Sequence, residues 1–149
     1  MSRERPLILL TTDFSEEAGR AYGPVVDLAK RLSGHILLLH VVEAAPIAPH
    51  GAPLAPVQLT PDIASFVKAA KTHMANEVQK LGTVVHVEVA VVEGTDVATT
   101  VAQIARERNA DYIAVSTHGR TGLRRLVLGS VAEAIVRHAD VPVISFPAK

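Results

Sequence analysis

The sequence predicts one α/β domain built on an open parallel sheet. Three observations carry that prediction. Five short apolar runs recur along the chain, and all but the third are continuous instead of alternating, the pattern of strands covered on both faces. Stretches with apolar residues at helical spacing fill the intervals between them. Capping, proline and glycine signals fall where one pattern gives way to the next. Strand–helix alternation of this kind builds a sheet through right-handed crossovers.

Leu7-Ile8-Leu9-Leu10 is the first strand. Ser15, followed by Glu16 and Glu17, opens the first helix, since a serine oxygen accepts from free amides and carboxylates suit the positive helix end. Its apolar face is Ala18, Ala21, Tyr22, Val25, Leu28, Ala29 and Leu32, and Gly23-Pro24 inside it predicts a kink. Ile36 to Val42 is the second strand. Thr60-Pro61-Asp62 starts the second helix with proline at its first position. Ile63, Phe66, Val67, Ala70, Met74, Val78 and Leu81 form that helix's buried face. Val84 to Val92, the third strand, alternates, with His86 and Glu88 on one face, as an edge strand does. Asp96 caps the third helix, which buries Val97, Val101, Ile104 and Ala105. Tyr112 to Val115 is the fourth strand. Ser130-Val131-Ala132-Glu133 reads as a capping box opening the fourth helix, whose face is Val131, Ala134 and Ile135. Val141 to Phe146 is the fifth strand. Residues 43–60 break the alternation. They hold Pro46, Pro49, Pro53 and Pro56, which bar a regular helix and predict a long surface loop inside a single domain spanning 1–149.

Composition narrows the function. The chain has 149 residues, of which 48% are hydrophobic and 20% charged, a globular balance. Fifteen basic residues meet 15 acidic ones, so the basic excess of a general nucleic-acid or anionic-membrane binder is missing. With no cysteine there are no disulfides, thiolate metal sites or cysteine nucleophiles. No apolar run approaches the roughly 18 residues of a membrane span, and the N-terminus runs straight into a strand, so a cytoplasmic protein is expected.

In an open parallel sheet, ligands bind beyond the carboxyl ends of the strands. Thr11-Thr12-Asp13, Ser116-Thr117-His118-Gly119 and Leu128-Gly129-Ser130 occupy such places. The last of these opens a helix, where free backbone N–H groups suit an anion. From Tyr112 to Ala132 there is no acidic residue, while Arg120, Arg124 and Arg125 are present, which points to phosphate. The G-x-G-x-x-G, P-loop and G-x-S-x-G motifs are absent. Seven histidines show no metal-ligand spacing. His40 reads as a structural residue, and His118 lies in the phosphate loop, where protonation adds charge. No set of nucleophile, base and orienter can be assembled, so no catalytic residues are expected.

Several blocks resemble one family. Ser116 to Glu133 (STHGRTGLRRLVLGSVAE) is similar to the signature of universal stress proteins, and Thr11 to Ala18 (TTDFSEEA) resembles their opening block. Leu38 to Val41 (LLHV) and Arg137 to Val143 (RHADVPV) resemble the second and closing strands. The resemblance implies a Rossmann-like five-stranded sheet of order 3-2-1-4-5 with four helices on both faces, and a homodimer paired through Val141–Phe146. A partner strand would cover that apolar edge, with Pro142 withholding one donor. It also implies a stress-response regulator that binds ATP or AMP, any Mg2+ being carried by the phosphates. Binders resemble G-x-x-G-x(9)-G-[ST]. This chain keeps Gly119, nine residues, Gly129 and Ser130, but Ser116 replaces the first glycine. Carried over by position, Thr11 and Thr12 line the adenine side and Asp13 lies near the ribose or a phosphate-bound metal. The Val41 backbone reads the adenine edge, and Val115 packs on the base. Ser116 and Gly119 flank the ribose and first phosphates, with His118 and Arg120 in the same loop. Gly129, Ser130 and Val131 donate to the phosphates, and Gly94 is a turn glycine. Two alternatives stand beside this one: a ligand-free dimeric interaction module in which Ser116 marks a lost site, and a slow ATPase or phosphotransferase.

Overall fold

The computed structural model describes residues 5–44, 62–117 and 128–147. Its elements are β1 (Leu7–Thr11), α1 (Glu16–Arg20), α2 (Tyr22–Arg31), β2 (His35–Glu43), α3 (Ile63–Leu81), β3 (Val87–Gly94), α4 (Val97–Glu107), β4 (Tyr112–Ser116), α5 (Ser130–His138) and β5 (Val143–Phe146). The five strands form one sheet in the order β3-β2-β1-β4-β5, and every pairing is parallel. Order and class are those expected. The greater part of the proline-rich stretch lies outside the described residues.

Strand geometry sorts the core into two layers, because successive side chains point to opposite faces. Leu7, Leu9, Leu37, Leu39, Ile113 and Val115 face α4 and α5, where they meet Val101, Ala105 and Ile135. Ile8, Leu10, Ile36, Leu38 and Ala114 face α2 and α3, where they meet Tyr22, Val25, Met74 and Leu81. β1 lies between these layers with Ile8, Leu9 and Leu10 fully buried.

Local chemistry explains where the elements differ from expectation. The first helix is two pieces that meet at Ala21, which ends α1 and starts α2. That break puts Pro24 in the first turn of α2, where an amide has no intrahelical partner and its absence costs nothing. Ser15 caps α1 as expected, its Oγ accepting from the Ala18 amide at 3.1 Å. α3 begins at Ile63 with Asp62 at its cap position, so Asp62 is not inside the helix; Thr60 and Pro61 lie outside the described residues. β3 starts at Val87, opposite Ile36, leaving Val84 to His86 before the strand and extending it to Gly94. β5 starts at Val143, because Pro142 has no N–H and contributes only its carbonyl, which accepts from the Ile113 amide at 3.0 Å.

Two contacts generate predictions. A side chain at Gly34 would put its Cβ 2.5 Å from the Pro6 carbonyl oxygen, the acceptor of the His35 amide at the start of the β1–β2 ladder. Gly34→Ala is therefore expected to cost about 2 kcal/mol. For a chain of this length that lowers Tm by about 4–8 °C, which a thermal melt reads directly. The second contact is the α4 cap. Asp96 accepts from the Thr99 hydroxyl and, at 2.8 Å, from the Thr99 amide. These bonds hold its carboxyl below its ordinary value of 3.8. A depressed folded value means that the stabilisation is complete above the unfolded value and is lost as pH falls through the folded one. The Tm gap between the wild type and Asp96→Ala is expected to be full at neutral pH and to close in acid; a gap that widens in acid would contradict this.

Candidate functional site

β1 leaves the sheet before its neighbours do. Thr11 pairs with Leu39, but β2 continues to Glu43. The space above the end of β1 opens at the point where strand order reverses, between β1 and β4. A cavity of about 1040 Å3 lies there, at the upper end of the roughly 300–1,000 Å3 usual for small-molecule sites.

Its rim at β1 is a run of residues that satisfy one another. The Thr12 amide donates to the Leu39 carbonyl at 2.9 Å. The Phe14 amide donates to Thr12 Oγ1 at 3.1 Å, and the Ser15 amide to Asp13 Oδ1 at 2.9 Å. Phe14 has φ 65°, a left-handed conformation uncommon for a residue with a bulky side chain. Its ring stacks on His40, with centroids 4.1 Å apart, and meets His73 of α3 at 5.3 Å. His40 Nδ1 lies 2.7 Å from the Thr12 carbonyl. A carbonyl only accepts, so the proton is on Nδ1. His40 is thus the hydrogen-bonded structural residue expected, and it also lines the cavity.

At β2, amides and carbonyls of alternate residues point to opposite sides. The Leu39 carbonyl faces β1 and the Ala44 amide faces β3. By that alternation the N–H and C=O of Val41 point to the side where β1 has ended, toward the cavity.

The far wall is the start of α5. The expected capping box does not form. Gly129 is the N-cap, Ser130 is the first helical residue, and among the described residues no side chain caps the helix. Glu133 instead pairs with Arg137 at 2.6 Å. The start is displaced because the Gly129 amide donates to the Thr117 carbonyl at 2.9 Å, an approach so close that a Cβ there would sit 3.0 Å from that oxygen. Among the described residues no side chain accepts from the first-turn amides of α5, which border the cavity, an arrangement suited to an anion.

Thr11, Thr12, Asp13, Val41, Val115, Ser116, Gly129, Ser130 and Val131 all line this one cavity. His118, Gly119 and Arg120 lie outside the described residues, as do Arg124 and Arg125. Gly94 is the last residue of β3. It is glycine because a Cβ would meet Thr100 Oγ1 at 2.1 Å, so close approach and not an unusual turn explains it. The sequence did not single out the α3 wall, with Ile63, Phe66, Ala70 and His73, or the stacked Phe14 and His40. Phe66 and Val131 were expected on buried helix faces. They are 53% and 48% exposed and border the cavity, as the family resemblance implied for Val131 but not for Phe66.

A family model described as the universal stress protein family matches residues 6–147. The chain belongs to the universal stress protein family. A universal stress protein of Methanocaldococcus jannaschii is 29% identical over 141 residues, covering 92% of this chain and 79% of that one. The universal stress protein UspA of Lactobacillus plantarum has the same fold, with a TM-score of 0.76, 22% identity, and coverage of 97% of this chain and 99% of that one. A family protein of Arabidopsis thaliana solved with AMP bound has a TM-score of 0.60 and 19% identity, covering 97% and 92% of the two chains. One of Archaeoglobus fulgidus in complex with dAMP has a TM-score of 0.60 and 16% identity, covering 95% and 96%.

Ser116, where this universal stress protein departs from the binder pattern, has a use inside the chain. Its hydroxyl donates to the Glu17 carbonyl at 3.2 Å and ties β4 to α1. Ser116→Ala is therefore expected to cost about 1 kcal/mol in urea denaturation without any ligand. A hydroxyl serving only a ligand would leave that value unchanged.

Proposed function

We propose that this universal stress protein binds an adenine nucleotide, AMP or ATP, at the ends of β1, β2 and β4, and that the bound state regulates how a homodimer paired through Val141–Phe146 meets its partners. The observation that carries the reading is the pairing of an uncapped helix start at Gly129-Ser130 with a cavity large enough for a nucleotide. Backbone amides of Ser130 and Val131 meet the phosphates. Asp13 accepts from ribose hydroxyls, the Val41 backbone pairs with the base edge, and Val115 packs on its face. The relatives solved with AMP and dAMP bound support this ligand class for the fold.

Ser116 does not argue against it. With its hydroxyl turned to Glu17, the serine supports the floor and does not plug it. Among the described residues no group of three or more His, Cys, Asp and Glu can hold a metal ion. Mg2+ would arrive on the phosphates of ATP, where Asp13, a carboxylate lining the cavity, could meet it, and it would supply charge neutralisation there. No helix among the described residues is long and apolar enough to cross a membrane.

Ligand at about 100 times its dissociation constant stabilises a folded chain by about 2.7 kcal/mol. AMP, or ATP with Mg2+, is expected to raise Tm accordingly, and Asp13→Ala to reduce the rise at equal ligand. An unshifted melt at millimolar concentrations of both nucleotides would overturn the proposal.

A further inference from the structure

We infer that Glu77 and Tyr22, which do not border the cavity, are positioning residues that set its β1 rim from the buried side of α3. Glu77 is 4% exposed, in the layer between α3 and the sheet. A carboxylate there is costly unless its oxygens are bonded. Lys80 Nζ meets one oxygen at 2.6 Å, and the Tyr22 phenol donates to the other. The phenol has one proton and spends it on Glu77. The contact between Tyr22 Oη and Thr12 Oγ1, 2.8 Å long, must then use the threonine proton. Thr12 Oγ1 in turn accepts from the Phe14 amide. The result is a directed chain: Phe14 amide to Thr12 hydroxyl, Thr12 to Tyr22, Tyr22 to Glu77. Each bond polarises the next in the same sense.

The direction is locked. Burial, and after it the hydrogen bond to Glu77, pushes the Tyr22 phenol well above its ordinary value of 10.0, so the proton stays on the phenol. The chain also ends where backbone strain is found. Phe14 is held left-handed at φ 65°, and between it and Thr12 lies Asp13. α3, which carries Glu77, supplies the opposite wall through Phe66, Ala70 and His73. One buried carboxylate thus fixes both the conformation of the Thr12–Phe14 rim and its distance from the facing helix.

The test uses Tyr22→Phe, which keeps the ring and deletes the hydroxyl, and Glu77→Gln as a second variant that keeps an acceptor. The first readout needs no ligand: hydrogen exchange of the Phe14 amide by NMR, expected to quicken about 10-fold in Tyr22→Phe. The second rests on the nucleotide reading: AMP affinity of the folded variants, expected to fall about 10-fold for Tyr22→Phe and less for Glu77→Gln. The loss should be non-additive with Asp13→Ala in a double-mutant cycle. Unchanged Phe14 exchange in both variants overturns the inference. So does faster exchange with unchanged AMP affinity, because a purely structural network lowers stability without touching the site. If the wild type itself binds no AMP, the nucleotide reading fails, and the positioning role is decided by whether Phe14 exchange quickens more than the loss of global stability accounts for.

Discussion

β1 is hydrogen-bonded to β2 on one side and β4 on the other, and the constraint on everything above the sheet is that it leaves this double ladder after Thr11 while β2 runs on to Glu43. Once outside the ladder, each backbone amide needs another acceptor, because an unpaired buried amide costs about as much as a lost hydrogen bond. Thr12 still uses the Leu39 carbonyl of β2, and the residues that follow supply the next acceptors: Phe14 uses the Thr12 hydroxyl, Ser15 uses the Asp13 carboxylate, and Ala18 uses the Ser15 hydroxyl. The run Thr-Asp-Phe-Ser is thus a device for ending a central strand abruptly. The cavity is the space left by that ending.

The helix starts differ in the same terms. α1 and α4 have their first-turn amides partly satisfied by Ser15 and Asp96. α5 has no such cap, and the glycine that takes the cap position is required by the 3.0 Å approach of the Thr117 carbonyl. A residue able to cap from that position carries a Cβ, and a Cβ does not fit without moving β4's end. Packing against β4 and leaving the amides open are therefore a single choice. The open amides face the same space as the Asp13 carboxylate, which gives the cavity a donor end and an acceptor end.

The sheet was legible in the sequence because the inner strands β1, β2 and β4 are covered on both faces and so are apolar almost throughout, while the edge strand β3 alternates. Strand ends were less legible. Alternation from Val84 suggested an early start for β3, but pairing begins only where Ile36 offers a partner. The Ser130–Glu133 spacing matched a capping box, yet the contact that sets the helix start, Gly129 on Thr117, joins segments that no local pattern relates. At the site, polar residues at strand ends were found because chemistry marked them. Phe66 was not, since an apolar residue on a helix face has the same periodicity whether it faces a core or a cavity; Val131, on such a face too, was marked only through the family resemblance. Glu77 was invisible for the opposite reason. Beside Lys80 it looks like an ordinary surface pair, and only the third dimension puts Tyr22 behind it.

An apolar cavity of this size would be expected to close on itself unless something held its walls apart. The apolar walls have no such means, because dispersion and the hydrophobic effect both favour collapse. The polar groups at its base do, since the bonds linking Thr12, Tyr22, Glu77 and Lys80 have fixed lengths and span β1, α2 and α3. Shortening the cavity would break them and leave a buried carboxylate with fewer partners. The two kinds of surface then divide the work of binding. Phe66 and Val131, half-exposed beside the cavity, would release about 1 kcal/mol each if a flat apolar ligand covered the rest of them, and this is undirected. For the proposed nucleotide, orientation would come from the Val41 backbone, the Asp13 carboxylate and the α5 amides. A ligand with an apolar plane at one end and an anion at the other satisfies both demands, and one lacking either end would satisfy only half of them.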